Sequence, residues 1–241
     1  MNNPWNLVKV WSSLKVIDMS TPWKNLITRM QSSCILGMLF SFAGALSFWI
    51  AFQKVAIALI VIIATIAVAE WLAIIKNKDH PMVGAIGWLY IGLGLSCWYT
   101  IALCDGWKHA VFLLCAAAFS DTIAYFAGSL LGGPRIFPKI SPGKTWSGSV
   151  SSLIFSTILT AILGRALWRQ PLSLLMLPCL IISLSAQAGD ALESATKRFY
   201  DIKDSGHLLP GHGGILDRID SWLGVAIMFH LIRPFFNMPP F

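Results

Sequence analysis

Seven apolar stretches, each close to the length needed to cross a bilayer, limit the folds open to this chain more than any other feature. They run roughly over residues 32–52, 55–75, 82–104, 110–131, 147–166, 172–187 and 219–236. A helix needs about 20 apolar residues to span about 30 Å of hydrocarbon. Lipid offers no partner to a free backbone amide, so such stretches become helices. The sixth is short for a span unless it continues through residues 188–194. The join at Gln53–Lys54 is tight, which predicts a helical hairpin from the first two. The fold class expected is all-α: a polytopic transmembrane helical bundle of about seven spans.

Charge supports that count and gives it a direction. Charged residues make up 12% of the chain, against about 25% in soluble domains. Of the 18 lysines and arginines, only Lys54, Lys108, Arg165, Arg169 and Arg233 fall on one side when loops are assigned alternately. The other side holds the excess, which places it in the cytoplasm. The expected location is a multi-pass protein of a bacterial-type inner (plasma) membrane. Residues 1–31 read as a cytoplasmic or interfacial segment, with Leu7, Trp11 and Leu14 on one helical face and Lys9 and Lys15 off it, as in helices that lie on membranes. They lack the short apolar core of a signal peptide. Residues 32–241 read as one transmembrane domain. No basic run or aromatic-basic platform suggests nucleic acid, and the five cysteines form no CxxC pair, which reads as buried thiols.

Against this background the acidic residues stand out. Glu70, Asp121, Asp190, Glu193, Asp217 and Asp220 lie inside or at the edge of apolar stretches, where an ionisable group is costly and points to function. Asp190, Glu193, Ser194 and Lys197 follow the spacing 0, +3, +4, +7, and Asp217, Asp220, Ser221 and Gly224 repeat it. Each set shares one helical face. Each carboxylate pair would suit salt bridging to nearby Lys and Arg. Two pairs flanking one glycine-rich loop favour a hard divalent cation, which takes oxygen ligands, often one or two carboxylates plus substrate phosphates. That loop, Pro210-Gly211-His212-Gly213-Gly214, exposes backbone N–H groups ahead of a helix start, a suitable cradle for an anion. A second polar stretch runs from Ile140 to Trp146. Its Gly143-Lys144-Thr145 is not a phosphate-binding P-loop, because Pro138 stands where the first glycine is required. Lys144 still suits a phosphate contact.

At these residues the chain resembles the phosphatidate cytidylyltransferases, or CDP-diacylglycerol synthases. The family's carboxy-terminal motif is met by Ser194, Lys197, Arg198, Lys203, Asp204, Pro210, Gly211, His212, Gly213, Gly214, Asp217, Arg218 and Asp220. Gly189-Asp190-x-x-Glu193-Ser194, Asp121-Thr122-x-Ala124-Tyr125-Phe126 and Ile140-Ser141-Pro142-x-Lys144-Thr145-Trp146 also look like the family. The resemblance is good over about residues 121–221. Departures are Ile123, Gly143 and Ser147, where the family more often has glycine, lysine and glutamate.

The resemblance implies transfer of CMP from CTP to phosphatidate in the cytoplasmic leaflet, giving CDP-diacylglycerol and pyrophosphate for phospholipid biosynthesis. It implies Mg²⁺ as cofactor, with a second, monovalent cation such as K⁺ sharing the site. The family's metal-holding aspartates fall on Asp190 and Asp217. Catalytic roles are expected for Asp190, Asp217, Lys197, Arg198 and Asp220, and substrate contacts for Lys144, Ser194, Lys203, His212, Gly213, Gly214, Arg218 and Asp121. Gly128-x-x-x-Gly132 would serve helix packing, within one chain or across a homodimer. The competing reading is a cation- or proton-coupled transporter using Asp121, Asp190 and Glu70. Transporters of that kind often show repeated halves, and the sequence shows none.

Overall fold

The computed structural model describes residues 52–76, 80–206 and 213–235. The amphipathic pattern in residues 1–31, the first apolar stretch up to residue 51, and His212 lie outside the described residues. Six α-helices follow in order: α1 (Phe52–Ile75), α2 (Pro81–Thr100), α3 (Gly106–Leu131), α4 (Trp146–Trp168), α5 (Leu172–Phe199) and α6 (Leu216–Ile232). The apolar stretches that fall within the described residues therefore form helices as expected. The sixth does continue, through its polar end to Phe199.

Among the described residues, four helical segments are long and apolar enough to cross a membrane: Lys54–Ile75, Pro81–Leu131, Trp146–Trp168 and Leu172–Phe199. The chain is a mostly helical, multi-pass membrane protein. Pro81–Leu131 is not one rod. A π-helical turn at Ile101–Asp105 interrupts it, and Gly106, at φ +73°, breaks the helical path. That conformation is open to glycine at little cost. α6, at 17 residues, is shorter than a full span.

One element departs from an all-helical fold. Arg135–Phe137 (β1) and Ser141–Thr145 (β2) pair as a small antiparallel hairpin. Pro134, Pro138 and Pro142 explain it, because each removes an amide a helix would need. Thr145 then starts α4 as its N-cap, accepting from Gly148 N at 3.2 Å.

The interior falls into two apolar clusters. One joins α3–α6 through Phe112, Leu113, Cys179, Ile182 and Phe229. The other joins α1, α2 and α6 through Trp71, Ile91, Ile219 and Leu223, with Tyr200. α6 contributes to both and packs on α1, α2, α3 and α5. α4 turns Ile154, Phe155, Ile158 and Ile162 outward, a lipid-facing stripe. Its inner face carries hydroxyls instead: Ser152 lies 3.1 Å from Ser120, and Ser156 donates to Ser183 at 2.8 Å. Small and hydroxyl residues are the usual means by which helices approach closely in lipid.

α5 and α6 approach each other closely. A Cβ on Gly224 would lie 2.5 Å from the Ser185 carbonyl oxygen, and one on Gly189 would lie 2.6 Å from that of Asp220. Gly128 is likewise used inside the chain, where a Cβ would meet Thr145 Oγ1 at 2.9 Å. Just past the end of α6, Arg233 pairs with Asp105, whose side chain is fully buried.

Candidate active site

The α5–α6 crossing brings the two polar helix faces together. On α5, Ser194 Oγ donates to Asp190 Oδ1 at 3.4 Å, and Lys197 Nζ lies 2.6 Å from Glu193 Oε2. The 0, +3, +4, +7 face seen in the sequence therefore exists. Lys197 also reaches α6, with Nζ 2.6 Å from Asp217 Oδ1. Lys144, at the end of β2, lies 2.9 Å from Asp190 Oδ2. Each aspartate expected to hold a cation thus already pairs with a lysine of the expected site.

Asp217 is further fixed by the backbone. Ser205 N–H donates to both of its oxygens, at 3.2 and 3.0 Å, and Gly214 N–H donates to Oδ2 at 2.8 Å. A carboxylate offers about four acceptor positions, so these are filled. Burial alone would raise the Asp217 pKa, but Lys197 and the Gly214 amide outweigh it and hold the carboxyl below its ordinary value. Gly213, at φ +80°, turns the chain tightly over that carboxylate.

A second group of acids sits beside this one. Asp121 on α3 accepts from Ser221 Oγ at 2.9 Å and is open to solvent despite its crowded surroundings. Asp121, Asp190 and Asp220 lie within electrostatic reach of one another, and Glu193 reaches both Asp220 and Asp217. Asp220 is buried and bonds the Ser221 N–H at 2.7 Å. Its carbonyl accepts from Tyr90 OH on α2 at 2.7 Å.

Among the described residues no three His, Cys, Asp or Glu side chains form a preformed metal cage. The donor set still fits a hard divalent cation. It is made of carboxylate oxygens that repel each other, and such ions often complete their shell with substrate phosphate and water.

The remaining expected residues are placed as follows. Arg198 donates from Nε to the Ile140 carbonyl at 3.0 Å and from Nη1 to that of Ile202 at 3.1 Å. It ties the β-hairpin to the end of α5. Lys203 is exposed on the following loop, outside the cluster. Arg218 is exposed on α6 and within electrostatic reach of Asp121. Of the departures, Gly143 faces open space, so a larger residue there would meet nothing within 4 Å. Ser147 donates to the Gly132 carbonyl. Ile123 is half-buried on α3.

The sequence did not single out Tyr90 or the Asp105–Arg233 pair. The sequence marked Glu70 as a costly acid at an apolar stretch and as one carboxylate of the transporter reading, without indicating its partners. A cleft opens between α1, α2, α5 and α6, with Trp71, Ile86, Leu192 and Leu223 on its apolar wall and Glu193 and Lys197 on its polar side.

A model of the cytidylyltransferase family matches residues 79–236, which include every carboxylate of this cluster. The chain belongs to the cytidylyltransferase family. It is 35% identical over 184 residues to the phosphatidate cytidylyltransferase of Bacillus subtilis (strain 168), covering 74% of this chain and 68% of that protein. It is 40% identical over 139 residues to the protein of the same name from Brucella abortus, covering 56% and 50%. With that from Staphylococcus saprophyticus it shares 38% over 149 residues, covering 59% and 55%. This cytidylyltransferase family member thus spans about half to two thirds of the relatives it matches. Its matched segment runs from the start of α2 to the end of α6.

Proposed function

We propose that this protein transfers CMP from CTP to phosphatidate, forming CDP-diacylglycerol and pyrophosphate. The observation that carries the reading is the pairing of Asp190 on α5 with Lys144 on β2, and of Asp217 on α6 with Lys197 on α5. A polyanionic nucleotide arriving with a cation can exchange partners there, lysine to phosphate and carboxylate to cation, leaving no charge unpaired.

In the reaction a phosphatidate oxygen attacks the α-phosphorus of CTP, and the bond to the β-phosphate oxygen breaks in line. The lipid phosphate is ionised at neutral pH, so no strong general base is needed. The barrier is mainly electrostatic, and positioned cationic groups lower it. Lys144 and Lys197 hold phosphates, with Arg218 beside Asp121. Ser194 orients Asp190, and the Gly213–Gly214 turn fixes Asp217. Arg198 keeps the hairpin that carries Lys144 in place. Lys203 and His212 complete the nucleotide contacts from the loop. Mg²⁺, held by Asp190 and Asp217 with Asp220 and Asp121 nearby, would offset charge on the triphosphate oxygens. A monovalent ion such as K⁺ would share the acidic group. The cleft beside Glu193 and Lys197 suits a lipid whose phosphate meets the lysine and whose acyl chains lie along the apolar wall.

The same reading includes about seven spans, a domain covering residues 32–241 after a segment 1–31, and a cytoplasmic-facing site in an inner membrane. It is supported by the excess of Lys and Arg on the site's side of the chain. Self-association through Gly128 is not part of it, because that glycine packs on Thr145 of the same chain. Incubating purified protein with labelled CTP, phosphatidate and Mg²⁺ tests the proposal. Labelled CDP-diacylglycerol is expected; its absence under conditions where a known relative is active would refute it.

A further inference from the structure

Glu70 lies outside the acidic cluster and before the family-matched segment 79–236. It is the one acidic residue of α1, whose only other charge is Lys54. It is 9% exposed. A buried carboxylate on an apolar helix persists only where its oxygens are satisfied. Glu70 Oε1 accepts from Ile215 N–H at 2.9 Å, and Oε2 accepts from Leu216 N–H at 2.9 Å and Ser205 Oγ at 3.1 Å.

Two of those donors are the unpaired amides that open α6. α6 has no side-chain cap from its own N-cap residue, Ile215. Glu70 supplies it from another helix, adding a negative charge at the positive end of the helix dipole.

Ser205 joins this cap to the reaction site. Its hydroxyl donates to Glu70 while its N–H donates to both oxygens of Asp217. The successive amides of Gly214, Ile215 and Leu216 are divided between the two acids: the first to Asp217, the next two to Glu70. Two glycines make room for the arrangement. A Cβ on Gly206 would lie 2.8 Å from Glu70 Oε1, and one on Gly214 would run into Ser205 Oγ and lie 2.6 Å from Glu70 Oε2. Gly214 does not adopt a positive φ, so its requirement for glycine is one of space. The second glycine of the Gly213–Gly214 pair is therefore explained by Ser205 together with the acid on α1 that its hydroxyl bonds.

We propose that Glu70 is a positioning residue for the transfer site: by holding Ser205 and the first turn of α6, it sets the orientation in which Asp217 meets a divalent cation and the triphosphate. The inference rests on the cytidylyltransferase reading of the site.

The test uses full-length Glu70→Gln, Ser205→Ala and the double variant, purified in detergent. Gln keeps the size and one acceptor oxygen but loses the charge and the second acceptor. Mn²⁺ binding is read by electron paramagnetic resonance without substrates, and the Mg²⁺ dependence of CMP transfer is read beside it. Each single variant is expected to weaken Mn²⁺ binding and raise the half-activating Mg²⁺ concentration about tenfold or more. The double variant should be no worse than Glu70→Gln alone, because the Ser205 hydroxyl acts through Glu70. Phosphatidate KM at saturating Mg²⁺ should be unchanged. A fall in melting temperature with wild-type Mn²⁺ binding and Mg²⁺ dependence would make Glu70 a structural cap and overturn the inference. If Glu70→Gln yields no folded protein, Ser205→Ala decides by the same two outcomes. A wild type that binds no Mn²⁺ also overturns it. A wild type that binds Mn²⁺ but transfers no CMP refutes the proposed function, and the Mn²⁺ comparison still decides Glu70.

Discussion

Replacing Asp217 with Asn separates a cation-holding role from a structural one, and the structure indicates how far the two should differ. The carboxylate accepts from Lys197 Nζ at 2.6 Å, from Ser205 N–H at 3.2 and 3.0 Å, and from Gly214 N–H at 2.8 Å. Asn keeps one acceptor oxygen and puts an NH₂ in place of the other. Whichever way it turns, that NH₂ faces Lys197 or the Gly214 amide. Hydrogen bonds involving a charged group contribute about 1.5–3 kcal/mol each. Lys197 keeps its contact with Glu193 at 2.6 Å, so it is not left buried and unpaired. The net cost to folding is therefore about 2 kcal/mol, well within the 5–15 kcal/mol of a typical domain. The variant should insert, elute as a single species and melt at a lower temperature. Losing one well-placed electrostatic contact to the reacting phosphates costs about 10²–10³ in turnover. The assay is incorporation of labelled CTP into lipid at saturating substrates, with wild type and variant matched for folded protein. A folded Asp217→Asn variant with kcat near wild type would refute the cation role.

Other substitutions separate the remaining parts. Lys144→Ala should raise KM for CTP or phosphatidate about tenfold, equivalent to about 1.4 kcal/mol of binding, while stability changes by less than about 1 kcal/mol because the pair with Asp190 is partly exposed; unchanged kinetics would leave Lys144 as a topology residue. Gly224→Ala must push α5 and α6 apart against the Ser185 carbonyl, so it should cost about 1–3 kcal/mol in a denaturation assay and reduce turnover as well. Arg233→Ala leaves the fully buried Asp105 without its partner and should destabilise by about 3–5 kcal/mol, with KM for both substrates unchanged in the folded fraction.

What could be read from the sequence follows from the kind of signal each feature leaves. The helices were legible because long apolar runs have one solution in lipid, and α5 extended through its polar end as its length required. The shared face of Asp190, Glu193, Ser194 and Lys197 was legible because helical spacing is local. The pairing across helices was not: both salt bridging and cation binding suited the spacing, and the structure shows lysines on both aspartates. The β-hairpin was hidden within a stretch read only as polar, although its three prolines were a usable sign. Arg198 was expected in a catalytic role, and in the structure it bonds backbone carbonyls. Glu70 left almost no trace, because two of its three partners are backbone amides and all lie at least 135 residues away. The glycines that accommodate it, Gly206 and Gly214, were the visible half of that relationship.

The cap that α1 supplies to α6 also orders how the molecule can be assembled. Glu70 leaves the ribosome 145 residues before Ile215, so during synthesis its carboxylate must stay near water and headgroups. α1 can settle to its final depth only when α6 arrives. A helix made much later thus completes the seating of α1, and a nascent chain stopped short of it would carry an unsatisfied acid for quality control to detect.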